Sequence, residues 1–150
     1  MGAVLLVNLE PDTAERLFPV QQTPEVCNVR DPGTVRQELA LRSHGVDLLV
    51  LSAGAGDPVS VAEDARGVDE DLSIVILTEP AQLEGIERRV MFAPFLTGDV
   101  VCQSLSDGPS IHRALDEAMT RTRQRRKHRE DVAATLLKLE APKVWQPNPA

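Results

Sequence analysis

The 150-residue chain predicts one doubly wound α/β domain, a parallel sheet covered by helices on both faces, followed by a long final helix. Three observations carry that prediction. Short apolar runs of strand length alternate with amphipathic, helix-length segments along most of the chain, as a parallel sheet with crossover helices requires. The central run, Val46-Asp-Leu-Leu-Val-Leu51, is apolar at all but one position, and Gly54 and Gly56 stop it. The length and a 42% hydrophobic share suffice for one core with an appendage, not for two full domains.

Each element follows in order. Residues 4–7 form the first strand, and Pro11 with Asp12 opens a helix that Pro19 ends or kinks. Residues 26–29 form a second, less apolar strand. Asp31-Pro-Gly-Thr34 caps a helix whose Val35, Leu39 and Leu41 are expected to point inward, ending near Gly45. The central strand at 46–51 leads to a helix around 59–66 and an acidic turn, Asp69-Glu-Asp71. Residues 73–78 form the fourth strand, 80–95 hold a helix with Leu83, Ile86, Val90 and Met91, and 100–103 form the fifth strand. Ser106-Asp-Gly-Pro109 then starts a helix expected to reach about Leu139. The expected division is a core over 1–108, a fifth helix and helical extension over 109–140, and a tail or linker over 141–150.

Charge is divided sharply along this order. Residues 1–108 carry 7 Lys/Arg against 18 Asp/Glu, whereas 109–150 carry 9 against 5, so a body near −11 bears a tail near +4. The body is expected to repel nucleic acid. The basic run Arg121-Thr-Arg-Gln-Arg-Arg-Lys-His-Arg129 has no aromatic to stack on bases, so its contact with nucleic acid is expected to be weak and limited to phosphates. The run reads first as a solvated connecting helix; if the tail attracts an acidic partner, the acidic body itself or a second copy is a candidate. No apolar run approaches the roughly 18 residues of a membrane span, and no signal-peptide pattern opens the chain, so the expected location is cytoplasmic, without membrane contact. Cys27 and Cys102 lack partners at metal-ligand spacing and read as buried thiols. His44, His112 and His128 are not at ligand spacing and read as surface residues.

Two segments together resemble the receiver domains of response regulators. Val4-Leu-Leu-Val-Asn-Leu-Glu-Pro-Asp12 is similar to the opening of a receiver, in which apolar residues precede two metal-holding aspartates and Glu-Pro-Asp; here Asn8 and Leu9 stand at the two aspartates. Along 46–52, Ser52 stands where the resemblance places the phosphate-accepting aspartate. Thr78, ending Ser-Ile-Val-Ile-Leu-Thr, matches the hydroxyl residue that senses the phosphoryl group. Gln103, or Ser104 with a one-residue shift, stands at the expected lysine, and Val101 or a neighbour at the switch aromatic. The resemblance covers residues 3 to about 122 and implies a flavodoxin-like, CheY-like five-stranded sheet of order 2-1-3-4-5. Of five usual pocket residues, only the threonine is kept.

The chemistry of the vestigial pocket, Asn8, Leu9, Ser52, Thr78 and Gln103, follows from the residue types. Magnesium needs converging carboxylate oxygens; Asn8 offers a neutral oxygen and Leu9 none, so no metal or cofactor is expected. Ser52 would need a base or metal to attack a phosphoryl donor, and neither is in sight, so no enzyme is expected. Ser52-Ala-Gly-Ala-Gly56 lacks the spacing of a phosphate-cradling loop and reads as a connecting turn. Asp57, five residues past the strand, reads as a solvated surface acid rather than a displaced phosphoacceptor.

The final helix supplies the interaction signal. With Leu115 at an a position, the a/d series runs Ile111, Leu115, Ala118, Thr122, Arg125, Arg129, Val132, Leu136, Leu139, apolar at both ends and basic between. Ile111, Leu115 and Ala118 are expected at the sheet or a dimer seam, and Val132, Leu136 and Leu139 at an interface beyond the body. A phosphorylation-independent pseudo-receiver is the expected function, acting in signal transduction or transcription regulation. It would dimerise or dock through its last helices and control a protein partner or attached output domain, with the chain read as the front part of a longer regulator. The alternative is a small-molecule or nucleotide sensor using the emptied pocket.

Overall fold

A computed structural model describes residues 3–18, 25–42, 45–52, 57–93, 96, 100–104 and 108–140. The strands are β1 (Ala3–Val7), β2 (Glu25–Val29), β3 (Val46–Ser52), β4 (Ser73–Thr78) and β5 (Val100–Ser104), all parallel, in the order β2-β1-β3-β4-β5. The helices are α1 (Pro11–Leu17), α2 (Val35–Arg42), α3 (Pro58–Val68), α4 (Pro80–Met91) and α5 (Gly108–Glu140). A doubly wound sheet of order 2-1-3-4-5 is the architecture the sequence predicts.

Strand position explains strand composition. β1, β3 and β4 are interior, and they are buried on both faces almost throughout, which is why they read as continuous Val/Leu/Ile runs. β2 and β5 are edges and carry Glu25, Asn28, Gln103 and Ser104. One core layer joins the sheet to Val35 and Leu39 of α2, Val59, Ala62 and Ala65 of α3, and Ile86 and Val90 of α4. The other joins it to Leu17 of α1 and to Ile111, Leu115, Ala118 and Met119 of α5.

Several sequence expectations need correction. Leu41 is 79% exposed instead of inward: it lies six residues after Val35, which at 100° per residue turns it to the far side of the helix. α4 gives way to a turn at Phe92, before the expected end at 95, and Met91 and Phe92 are exposed. Cys27 and Cys102 are free and half-buried rather than buried, because both sit on edge strands; desolvation, with Glu87 nearby, pushes the Cys102 thiol up to about 11. His112 and His128 are exposed, while His44 and Pro19 lie outside the described residues, as do the 53–56 turn and the 141–150 tail.

Candidate functional site

Register brings the vestigial pocket together. Val7 pairs with Leu51, so Asn8 and Ser52 lie side by side at the carboxyl ends of β1 and β3. Ser52 pairs with Leu77 and Thr78 with Ser104, which places Thr78 beside them, while the backbone of Gln103 faces Leu77. These ends border a cleft of about 780 Å³ lined by Asn8, Leu9, Glu10, Pro11, Thr13, Arg30, Ser52, Leu77, Thr78, Glu79 and Gln82. Its place at the carboxyl ends of the strands is where open α/β sheets bind ligands.

The interior of this cleft is unsuited to phosphoryl chemistry. Asn8 adopts φ 55°, a left-handed conformation that Asn tolerates better than most side chains, and its N–H donates to the Val29 carbonyl at 2.7 Å. Leu9 is buried and belongs to the core layer beneath α1 and α5, so an apolar side chain is drawn inward at the second aspartate position. The Asn28 side-chain amide donates to the Leu9 carbonyl at 3.0 Å and fixes the turn. Thr78 is buried, and among the described residues its hydroxyl has one long 3.4 Å contact, donated to the Glu79 carbonyl. Among the described lining residues the charged groups are Glu10, Glu79 and Arg30, a balance that does not favour an anion. No group of acids, histidines or cysteines able to hold a metal occurs among the described residues.

The second candidate region lies at the opposite end of the sheet, where α5 leaves it. α5 has 33 residues and is about 50 Å long at 1.5 Å per residue; its first half packs Ile111, Leu115, Ala118 and Thr122 into the body. The first three pack on the sheet, one of the two places the sequence allows them, and are therefore core residues. Thr122 accepts from the Ser73 N–H at 2.9 Å, closing the start of β4.

The basic run then closes on the body. Arg126 bridges Asp47 at 2.6 Å and Asp69 at 2.7 Å, and also donates to the Val46 carbonyl. Arg123 reaches Asp47 at 2.8 Å. Arg125 donates to the Asp71 carbonyl at 3.0 Å and the Ser73 hydroxyl at 3.3 Å. Arg129 pairs with Asp71 at 2.8 Å and Glu70 at 3.4 Å, and Asp71 raises its pKa. Asp47, Asp69 and Asp71 are buried, and buried carboxylates need such partners. The run is thus no solvated connector, and Arg125 and Arg129 are not seam residues.

Beyond Arg129 the helix has left the body. Val132 is 44% exposed, Leu136 52%, Leu137 65% and Leu139 46%. At the other end of the molecule, Asp57 is more than a solvated acid. It caps α3 by accepting from the Val59 N–H at 3.1 Å and holds Arg89 of α4 at 2.7 Å; Arg89 lowers its pKa. No helix among the described residues is long and apolar enough to cross a membrane.

The sequence offered the acidic body as one candidate partner of the basic run, but not which of its acids face α5, namely Asp47, Asp69 and Asp71. The charge split between body and tail was the available clue, since the acidic turn 69–71 and Asp47 are where the deficit of partners lies.

No protein-family model matches the chain, and no curated protein matches it in sequence. Solved structures share its fold. The signal receiver domain of an HD domain-containing protein from Pseudomonas fluorescens Pf-5 superposes with a TM-score of 0.70 at 18% identity, over 84% of this chain and 92% of that one. An adenylate cyclase structure from Rhodopirellula baltica gives 0.68 at 14% identity, over 89% and 98%. A response regulator receiver protein from Sinorhizobium medicae WSM419 gives 0.60 at 19%, over 81% and 96%. The chain has the receiver-domain fold.

Proposed function

We propose that this protein is a phosphorylation-independent regulatory module of signal transduction whose output is protein–protein contact made by the projecting end of α5. The observation that carries the reading is the pairing of an inert cleft with an unpartnered apolar stripe: Leu9 is buried where a metal carboxylate would sit, while Val132, Leu136 and Leu139 are exposed beyond the body. These three recur at i, i+4 and i+7, the spacing of a helix–helix seam. The contact has two forms, pairing of two copies through this stripe and docking to an output module. The charge of the cleft weighs against the sensor alternative for anionic ligands.

The experiment has two arms. Acetyl phosphate or beryllofluoride with magnesium should give neither a mass gain nor NMR shifts around Asn8, Ser52 and Thr78. Sedimentation of the full chain should show a concentration-dependent dimer, which Leu136→Glu dissociates. A stoichiometric phosphoprotein would end the phosphorylation-independent reading, and a monomer at high micromolar concentration would end self-pairing.

A further inference from the structure

We infer that one face of α5 is a docking groove for an acidic amphipathic helix of another protein; the inference rests on the proposal that α5 makes the output contact, and names the partner's chemistry. Arg121, Arg125, His128, Val132, Leu136 and Leu139 are spaced 4, 3, 4, 4 and 3 residues apart. At 100° and 1.5 Å per residue they share an arc of about 80° and span about 27 Å. The face is basic near the body and apolar at the tip. Its basic half lines a cleft of about 550 Å³, formed by Asp71, Arg121, Gln124, Arg125, His128, Arg129 and Val132.

Cations outnumber acids among the described lining residues of that cleft. Asp71 is the acid among them, and it already receives Arg129 on its carboxylate and Arg125 on its carbonyl. Arg121 is half-buried in this cleft, and its guanidinium has no ion pair with another described residue. A carboxylate from outside would pair with it in charge-assisted geometry. Val132 closes the cleft on the apolar side and leads into Leu136 and Leu139.

Charge complementarity selects the occupant. Two copies of α5 laid parallel set Arg121 and Arg125 against their like, and laid antiparallel set them against Leu136 and Leu139; either way a second copy satisfies only the tip. A helix with two acids one turn apart, followed or preceded by an apolar stripe, satisfies the whole face. Such a helix therefore displaces the second copy.

The test uses the full chain and two stapled helical peptides of about 20 residues, long enough to span the face. One carries a Glu pair in its first half and Leu at a/d spacing in its second; the other reverses that order. A third peptide replaces Glu by Lys, and duplex DNA is run in parallel. One acidic peptide should bind in the micromolar range as a complex of one chain and one peptide. Arg121→Ala should weaken it at least about tenfold, the scale of one desolvated charge pair, and Leu136→Glu, which lies off the body and cannot unfold it, should abolish binding. Millimolar or weaker binding of both acidic peptides, equal binding of the Lys peptide, indifference to Arg121→Ala, or tighter binding of DNA would each overturn the inference. If the chain pairs with itself yet ignores the acidic peptides, only the inference falls. If it is monomeric yet binds one of them, only self-pairing falls.

Discussion

The guanidinium of Arg126 lies 2.6 Å from the Asp47 carboxylate, so a residue midway along the last helix neutralises a buried acid at the start of the central strand. The two are 79 positions apart. Asp69 shares the same guanidinium at 2.7 Å, and the three groups tie α5, β3 and the turn before β4 at one point.

Replacing Asp47 by Asn should destabilise the domain by about 2 kcal/mol. That is less than the roughly 3–5 kcal/mol of an isolated broken buried pair, because Arg126 keeps Asp69. Equilibrium urea unfolding of the full chain checks this. A change within error would show that the clamp contributes nothing net to stability.

Thr122→Val should cost about 1–3 kcal/mol, since it leaves the buried Ser73 N–H without its acceptor. Thr122→Ser keeps the hydroxyl and should recover most of the loss, apart from a missing methyl group. Amide exchange at Ser73 separates this account from a general loosening, because its protection should fall first.

Truncation should be tolerated after Arg129 and not after Thr122. The shorter chain loses Arg123, Arg125, Arg126 and Arg129 together, and with them the ion pairs to Asp47 and Asp71 and the Arg126 bridge to Asp69. Thermal melts of the two truncations should differ by well over 10 °C, on the scale of roughly 3–5 °C per kcal/mol for a domain between the classes of about 60–100 and about 150–250 residues. Equal melting temperatures would place the arginines outside the folded unit.

Asp57→Asn keeps a cap on α3 but removes the ion pair with Arg89. The native pKa of Asp57 is lowered below 3.8 chiefly by its hydrogen bond from Arg89, so its contribution is present in full above the usual carboxylate range and is lost as pH falls through the lowered value. The wild type should therefore melt slightly above the variant at pH 7, and the gap should close as the solution is acidified below the ordinary carboxylate value. The pair is exposed at the surface, so the gap is small. A gap that widened in acid would reverse the sign of this account.

Much of the molecule was legible in the order of residues alone. The runs at β1, β3 and β4, the punctuation by Pro11, Pro58 and Pro80 at helix starts, and the replacement of carboxylates by Asn8, Leu9 and Ser52 are local facts, and local periodicity reports local structure. The sequence also determined that the last helix is long and changes from apolar to basic to apolar. Tertiary structure alone decided what those changes mean. Ile111, Leu115 and Ala118 satisfied the a/d spacing of a seam, yet the sheet already covers them. Arg125 and Arg129 satisfied the same spacing, yet they turn to acids more than 50 residues away. The helix period fixes only which residues share a face. Which surface covers that face is set by packing and by the cost of burying unpaired charge, and both depend on parts of the chain remote in sequence.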